Sequence, residues 1–494
     1  MTFSAGLGAA SSAADTPVWD VDLWDPDKPY SAPGRPLRVA PILMYSVSEY
    51  KPEHSYKSWG GVQSREAAES EAERIAEELE GLRRRAGFAI ELLPVALVRT
   101  PEDAAAAAAT PRDATIIYPA TGGGSLLQSI IPPENGLIFV RRRSGPVYYW
   151  YEALSVRYLR TDRPDFEAAR EGPAPALSVH DVVVDDLDEL LWRLRALYAI
   201  HNLKGARVVA LGGEWGKYAP EAPQLAREKY AMEIIDVPYE DFAPRIAAAL
   251  ADSTCMARAE AWTRRYLSMP GTRLECDRQF VVNAFILYGL FRALMTEHNA
   301  AAFTIKNCMG TIMPMSKTTA CLPLSLLNDE GPAAFCESDF VAIPAGILLY
   351  YLCGAPVFLH NSTFPHDGLV TCAHCTAPRR MDGVRYEPAR ILTHYESDFG
   401  AAPKVEMPIC RRLTFVNPEY ATGRWLGMRG TVEDNPFYEI CRSQQDVRIE
   451  GPWKRLLSEA RDSHWLMVYG DYLGQAGYAA QRLGIDWEAL EESV

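Results

Sequence analysis

The chain has 494 residues, too many for one hydrophobic core and enough for two or three domains. With 48% hydrophobic and 23% charged residues it has the balance of an ordinary globular protein, which excludes a disordered or fibrous chain. A formal charge of -14 argues against a nucleic-acid partner, since phosphate backbones are gripped by clustered Lys and Arg.

Residues 1–36, rich in Ala, Ser, Asp and Pro, read as a weakly ordered tail. Residues 1–16 show no cationic start followed by an apolar block, so no secretory signal is expected and the cytoplasm is the expected location. The apolar run 37–45 predicts a strand, 65–85 a charged amphipathic helix, 90–98 a second strand and 102–109 an alanine-rich helix. Further strands are expected at 115–119 and 137–141. Strand and helix alternating in this way mean a parallel sheet with crossover helices. The rhythm resumes with a helix over 186–201 and a strand over 207–211. A helix at 224–230, a strand at 234–237, helices at 244–251 and 278–298, and a strand at 303–306 follow. The charged, proline-bearing segment 160–175 is the expected boundary between the two units.

From residue 403 on, short apolar runs at 413–416, 425–428, 447–449 and 465–469 are separated by Gly, Pro, Asn and Asp, as in a small antiparallel unit, and 475–483 reads as a closing helix. The expected fold is therefore α/β: two Rossmann-like parallel-sheet domains, 37–170 and 171–355, then a small antiparallel barrel-like domain, 356–494. No stretch reaches the roughly 18 consecutive apolar residues of a membrane span. The best candidate, 343–359, contains Pro344, Gly346, Gly354 and Pro356 and reads as a buried helix and strand.

Two glycine clusters follow strands, at Thr121-Gly122-Gly123-Gly124-Ser125 and at Gly212-Gly213-Glu214-Trp215-Gly216-Lys217. Neither fits the dinucleotide fingerprint or the P-loop, and both read as tight turns at strand ends. Arg141, Arg142 and Arg143 are either a solvated edge or a grip on substrate oxygens. Trp59, Tyr148, Trp150 and Tyr151 could stack on a sugar ring or fill a core.

All ten cysteines lie between Cys255 and Cys441 and are expected to be reduced. Cys372 and Cys375 form a C-x-x-C, but a zinc knuckle needs a second such pair, and none exists. Cys308, Cys321, Cys336 and Cys353 are too widely spaced for a local knuckle. That leaves a site assembled in space or, as the commoner outcome, buried inert thiols.

Four of the nine histidines fall between His360 and His394. Near them, Cys336-Glu337-Ser338-Asp339 reads as the start of a helix running to about Tyr351. Phe358-Leu359-His360-Asn361-Ser362 and Thr371-Cys372-Ala373-His374-Cys375 read as strand tips. A carboxylate with imidazoles at strand tips is a ligand set for a divalent first-row metal.

At these residues the chain resembles the arabinose/fucose isomerase superfamily, in particular its uncharacterised sugar-isomerase-like branch. The resemblance runs from about residue 37 to the end, with its specific part at 335–380. Its metal-binding glutamate matches Glu337 in CESDF, its first histidine His374, and its last, far downstream, His464 in Ser463-His464-Trp465. Where a second carboxylate is expected, this chain has His360 and Asn361. The resemblance implies a metal held by Glu337, His374 and His464 with His360 as a fourth ligand, Mn2+ first and Fe2+, Co2+ or Zn2+ as alternatives. It implies aldose–ketose isomerisation of a free sugar through an enediol, and a homo-oligomer. With one carboxylate missing, the proton carrier is left open among Glu337, Asp339, His366 and Asp367. Asn361, Lys306, Arg141 and Trp150 are the candidate substrate contacts. Epimerisation, dehydration or cleavage of a modified sugar is the first alternative, and a non-catalytic sugar-binding protein the second.

Overall fold

The run LRVAPILM becomes the strand Leu37–Met44, almost wholly buried, as befits a strand covered on both faces of a parallel sheet. The computed structural model describes residues 23–58, 60–132, 134–142, 177–421 and 423–491. Trp59, Arg143, Tyr148, Trp150, Tyr151, the boundary segment 160–175 and the first 22 residues lie outside the described residues.

The first sheet is parallel throughout, in the order Ile90–Leu92, Leu37–Met44, Ala114–Pro119, Gly136–Val140, Val182–Val184. Ala96–Val98 also runs alongside Leu37–Met44. The apolar run 90–98 thus yields two strands, because Pro94 interrupts it with a residue that has no N–H to donate. The helix Arg65–Arg85 begins at Ser64, whose side chain accepts the Ala67 N–H, and buries Ala68, Ile75, Leu79 and Leu82 at helical spacing.

The second sheet, also parallel, has the order Ala333–Cys336, Ala302–Ile305, Arg207–Leu211, Glu233–Val237. Beside it lies the helix Arg278–Glu297, buried from Val281 to Phe291. It is the one helix among the described residues long and apolar enough to cross a membrane, and most of that apolar stretch is inside the protein. The segment 343–359 forms the helix Ile343–Cys353 and enters the strand Phe358–Ser362, as the sequence predicts.

Six antiparallel strands close into a barrel: Arg412–Pro418, His464–Tyr469, Phe358–Ser362, Leu369–His374, Ser443–Ile449 and Arg424–Asp434, the last pairing back with the first. Closure leaves an edge at the overhanging Arg424–Gly427 end of Arg424–Asp434. The strand Asp486–Ala489 joins the barrel from outside, parallel to Arg424–Asp434, after the helix Leu473–Arg482. A smaller sheet pairs Phe399–Val405 with Ala389–His394, and Ala389–His394 with Thr272–Leu274.

The reading of a weakly ordered tail fails over 23–36. Trp24 is 1% exposed, with its ring 5.0 Å from Phe285 and 6.1 Å from Tyr266. Further along, the Arg35 N–H donates to the Asn202 side chain. Alanine and proline content hid one large aromatic anchor.

Candidate metal centre

At the carboxyl end of the second sheet Leu211, Ile305 and Cys336 stand in register on adjacent strands. The residues that follow them, Gly212, Lys306 and Glu337, therefore form one row at the sheet edge, the position where open α/β sheets present ligand-binding groups. Glu337 and Ser338 both adopt left-handed backbone, with φ of 66° and 50°. That conformation costs non-glycine residues of order 1 kcal/mol each and persists only where the surroundings enforce it. Here the Ser338 N–H donates to Thr304 Oγ1 at 3.1 Å and the Phe340 N–H to the Trp215 carbonyl at 2.9 Å. The CESD segment is thus a strained turn after a strand, and the helix expected there begins only at Ile343.

The other half of the centre comes from the barrel. His374 ends Leu369–His374 and His464 opens His464–Tyr469. One ligand atom from each of Glu337, His374 and His464 lies within 4.8 Å of the other two. His374 Nε2 is 3.7 Å from Glu337 Oε1, and His464 Nε2 is 3.5 Å from Glu337 Oε2. The imidazoles are buried, while the Glu337 side chain is 36% exposed, so the centre opens to a ligand on the carboxylate side.

Behind the ring, His464 Nδ1–H donates to Asp339 Oδ2 at 2.6 Å, which fixes the tautomer and turns Nε2 towards Glu337. That Nε2 is buried and has no hydrogen-bond partner, as a nitrogen reserved for a metal would be. His374 Nδ1 is likewise engaged, 3.0 Å from Thr376 Oγ1. Burial works against charge on both Glu337 and His464, but their mutual attraction wins. The two imidazoles beside it carry the Glu337 carboxyl well below the usual carboxylate range. The hydrogen bond to Asp339 and the Glu337 carboxylate 3.5 Å from Nε2 raise His464 to about 9. Without a cation between them, the ring is the cation.

Of the other expected site residues, Asp339 is fully buried and accepts three N–H groups, from His464, Lys217 (2.9 Å) and Val341 (3.2 Å). It positions His464 and offers no face to a substrate. His360 is not among the converging ligand atoms. Its ring instead packs among Phe358, Phe415 and Trp465, and burial drops it to about 3. Asn361, the next residue, stands opposite His464 and donates to the Ser463 carbonyl at 3.3 Å. His366 and Asp367 are exposed at the tip of the hairpin, where His366 faces Leu369, itself five residues along the strand from His374 and about 17 Å away. Lys306 donates to the Glu214 carbonyl at 3.3 Å, in the row beside Glu337. Arg141 is tied up elsewhere, held by Glu71 and Glu78 over the rings of Tyr118 and Phe139. Trp150 lies outside the described residues.

Lys217 was not singled out in the sequence, yet its Nζ sits 3.5 Å from Glu337 Oε2. Its signal was the glycine-rich turn it ends. Gly212 has φ +81°, and a Cβ there would come within 2.3 Å of the Tyr239 ring, so only glycine lets the loop turn back towards Asp339.

No family model matches the chain, and no curated protein matches it.

Proposed function

We propose that Glu337, His374 and His464 hold a divalent first-row metal, Mn2+ in the first place and Fe2+, Co2+ or Zn2+ otherwise. The protein is then an isomerase-like enzyme that enolises a free sugar or sugar derivative. The observation that carries the metal is the buried, unpartnered His464 Nε2, locked from behind by Asp339 and aimed at a carboxylate that a second imidazole also approaches. One carboxylate, two imidazoles and an open side suit such an ion. The sugar class rests on the resemblance of these residues to those of the arabinose/fucose isomerase superfamily. A Rossmann-like winding of both parallel sheets, a homo-oligomer and a cytoplasmic location belong to the same proposal.

When bound, the metal would polarise a carbonyl and the hydroxyl beside it. The protein must then move a proton between adjacent carbons. Of the carriers weighed from sequence, only Glu337 faces the centre, and Lys217 joins it there. Lys217 Nζ, an ammonium 3.5 Å from Glu337 Oε2, is placed to steady the negative charge that develops on the enediolate oxygens, while the Glu337 carboxylate is the group placed to carry the proton between the two carbons.

A second reading, epimerisation or elimination from the same enolate, is favoured by one specific observation: among the described residues no second carboxylate joins the three ligands. Incubation with pentoses, hexoses and oxidised sugars in deuterated water, with Mn2+ present, tests both. Deuterium at C2 accompanied by ketose supports the isomerase. Exchange without ketose supports the second reading, and no exchange with any sugar refutes enolisation.

A further inference from the structure

A second set of metal-binding side chains lies outside the Glu337 centre. Ligand atoms of Cys321, Cys375 and His394 all fall within 4.8 Å of one another, and all three residues are buried. They come from separate elements. Cys321 opens the helix Cys321–Glu330, Cys375 follows the barrel strand Leu369–His374, and His394 ends the strand Ala389–His394. Cys441, just ahead of the strand Ser443–Ile449, supplies a fourth group. Its side chain packs against the cluster of Cys321, Cys375 and Ala402, outside the three ligand atoms that already lie within 4.8 Å of one another.

Packing alone does not account for this set. Inert buried cysteines behave as small hydrophobes and have no reason to gather sulfur to sulfur around an imidazole. His394 is only 7% exposed, yet its Nδ1 has no hydrogen-bond partner, a state polar groups in a protein interior rarely keep. The Arg442 backbone N–H points at Cys375 Sγ from 3.4 Å, the kind of outer contact that steadies a metal thiolate. None of the ten cysteines is in a disulfide.

The chemistry of the donors selects the ion. Thiolates favour a soft or borderline cation, and three sulfurs with one imidazole are a standard structural zinc set. Zinc bonds of about 2.3 Å to sulfur and about 2.0 Å to nitrogen put tetrahedral donors somewhat under 4 Å apart, so Cys321, Cys375 and His394 need close in only slightly, and Cys441 turns inward to complete the set.

We propose that Cys321, Cys375, Cys441 and His394 form a closed, structural zinc site, distinct from the Glu337 centre. Binding releases the three thiol protons to solvent and replaces the sulfur–sulfur contacts with metal bonds. The site ties a helix start, the end of a barrel strand, the smaller sheet and the loop before another barrel strand to one point. Because Cys375 follows His374, the clamp also fixes the strand end that presents His374 to the first metal. The C-x-x-C motif is not the chelate: Cys372 packs in the barrel core, away from the cluster that holds Cys375.

The test uses the full chain carrying Glu337→Gln, which disables the first centre, and the same chain with Cys375→Ser added. The single variant should retain one tightly bound zinc per chain. Exchange for Co2+ should give thiolate-to-cobalt charge transfer and intense tetrahedral ligand-field bands, both absent after Cys375→Ser. If Cys375→Ser does not fold, alkylation of the wild-type protein decides. Zinc should protect Cys321, Cys375 and Cys441, and chelator should expose all three together. A Glu337→Gln protein without zinc, cobalt bound without charge transfer, or protection unaffected by chelator would each overturn the site. Those results would leave the Glu337 centre untouched, because the hard-metal binding lost in Glu337→Gln is measured separately.

Discussion

Asp339→Asn separates the orientation of His464 from its presence. The native carboxylate accepts the His464 Nδ1–H through Oδ2 and two backbone N–H groups through Oδ1. Asparagine has the same shape, and its remaining oxygen can keep the Lys217 and Val341 contacts. The amide NH2 then faces His464 Nδ1 and cannot accept a proton. The ring answers by moving its proton to Nε2, which points an N–H at the place where a metal needs a lone pair. Restoring the binding tautomer sets Nδ1–H against NH2 in a fully buried position and costs about 1–3 kcal/mol. Metal affinity should fall roughly 10- to 100-fold, the usual loss when a histidine's outer partner is removed. Isothermal titration with Mn2+ at fixed pH measures this, with circular dichroism to show that the variant is folded. A folded Asp339→Asn protein that binds Mn2+ within about twofold of wild type would refute the reasoning.

Three further outcomes are expected. His464 is raised to about 9 in the metal-free protein, so its stabilising charge is fully present below its unfolded value of about 6.5 and is lost as pH rises through about 9. Metal-free Tm should therefore drop across that window, and apparent metal affinity should climb about tenfold per pH unit until it levels near pH 9, because metal must displace that proton. A flat affinity profile over pH 7 to 9 would contradict it. Lys217→Met should leave Mn2+ affinity equal or slightly higher, since a cation 3.5 Å from Glu337 is gone, while solvent exchange at C2 slows by about 100-fold or more. Exchange at the wild-type rate would remove Lys217 from the reaction. Trp24→Ala should cost about 3–5 kcal/mol in urea unfolding, as for a large buried aromatic. A loss under about 1 kcal/mol would mean that residues 23–36 are not part of the core.

Most strands of both parallel sheets could be read from the sequence because their apolar runs are evenly spaced, but the edge strands Val182–Val184 and Ala333–Cys336 are short and were not. The barrel announced itself through short runs broken by Gly, Pro and Asn. Its closure did not, since the pairing of Arg412–Pro418 with Arg424–Asp434 is a fact of register rather than composition. Thr272–Leu274 escaped notice because three half-polar residues acquire strand character only from a partner far down the chain, Ala389–His394. Residue types and order were enough to single out Glu337, His374 and His464. The turn carrying Glu337 was mistaken for a helix start because no glycine marks its left-handed residues. His360 reads as a ligand because closeness in sequence to His374 says nothing about ring contacts, and its imidazole is taken up by Phe358, Phe415 and Trp465. Asp339 and Lys217 depend on contacts across more than a hundred residues, which no local pattern contains.

The central claim is that Glu337, His374 and His464 share one metal ion, and an anomalous difference map from crystals soaked in Mn2+ tests it most directly. The account predicts one strong peak bonded to Nε2 of both histidines and to a Glu337 oxygen, and no peak in His464→Ala crystals treated alike. Density elsewhere, or none at these three side chains at saturating Mn2+, would contradict it.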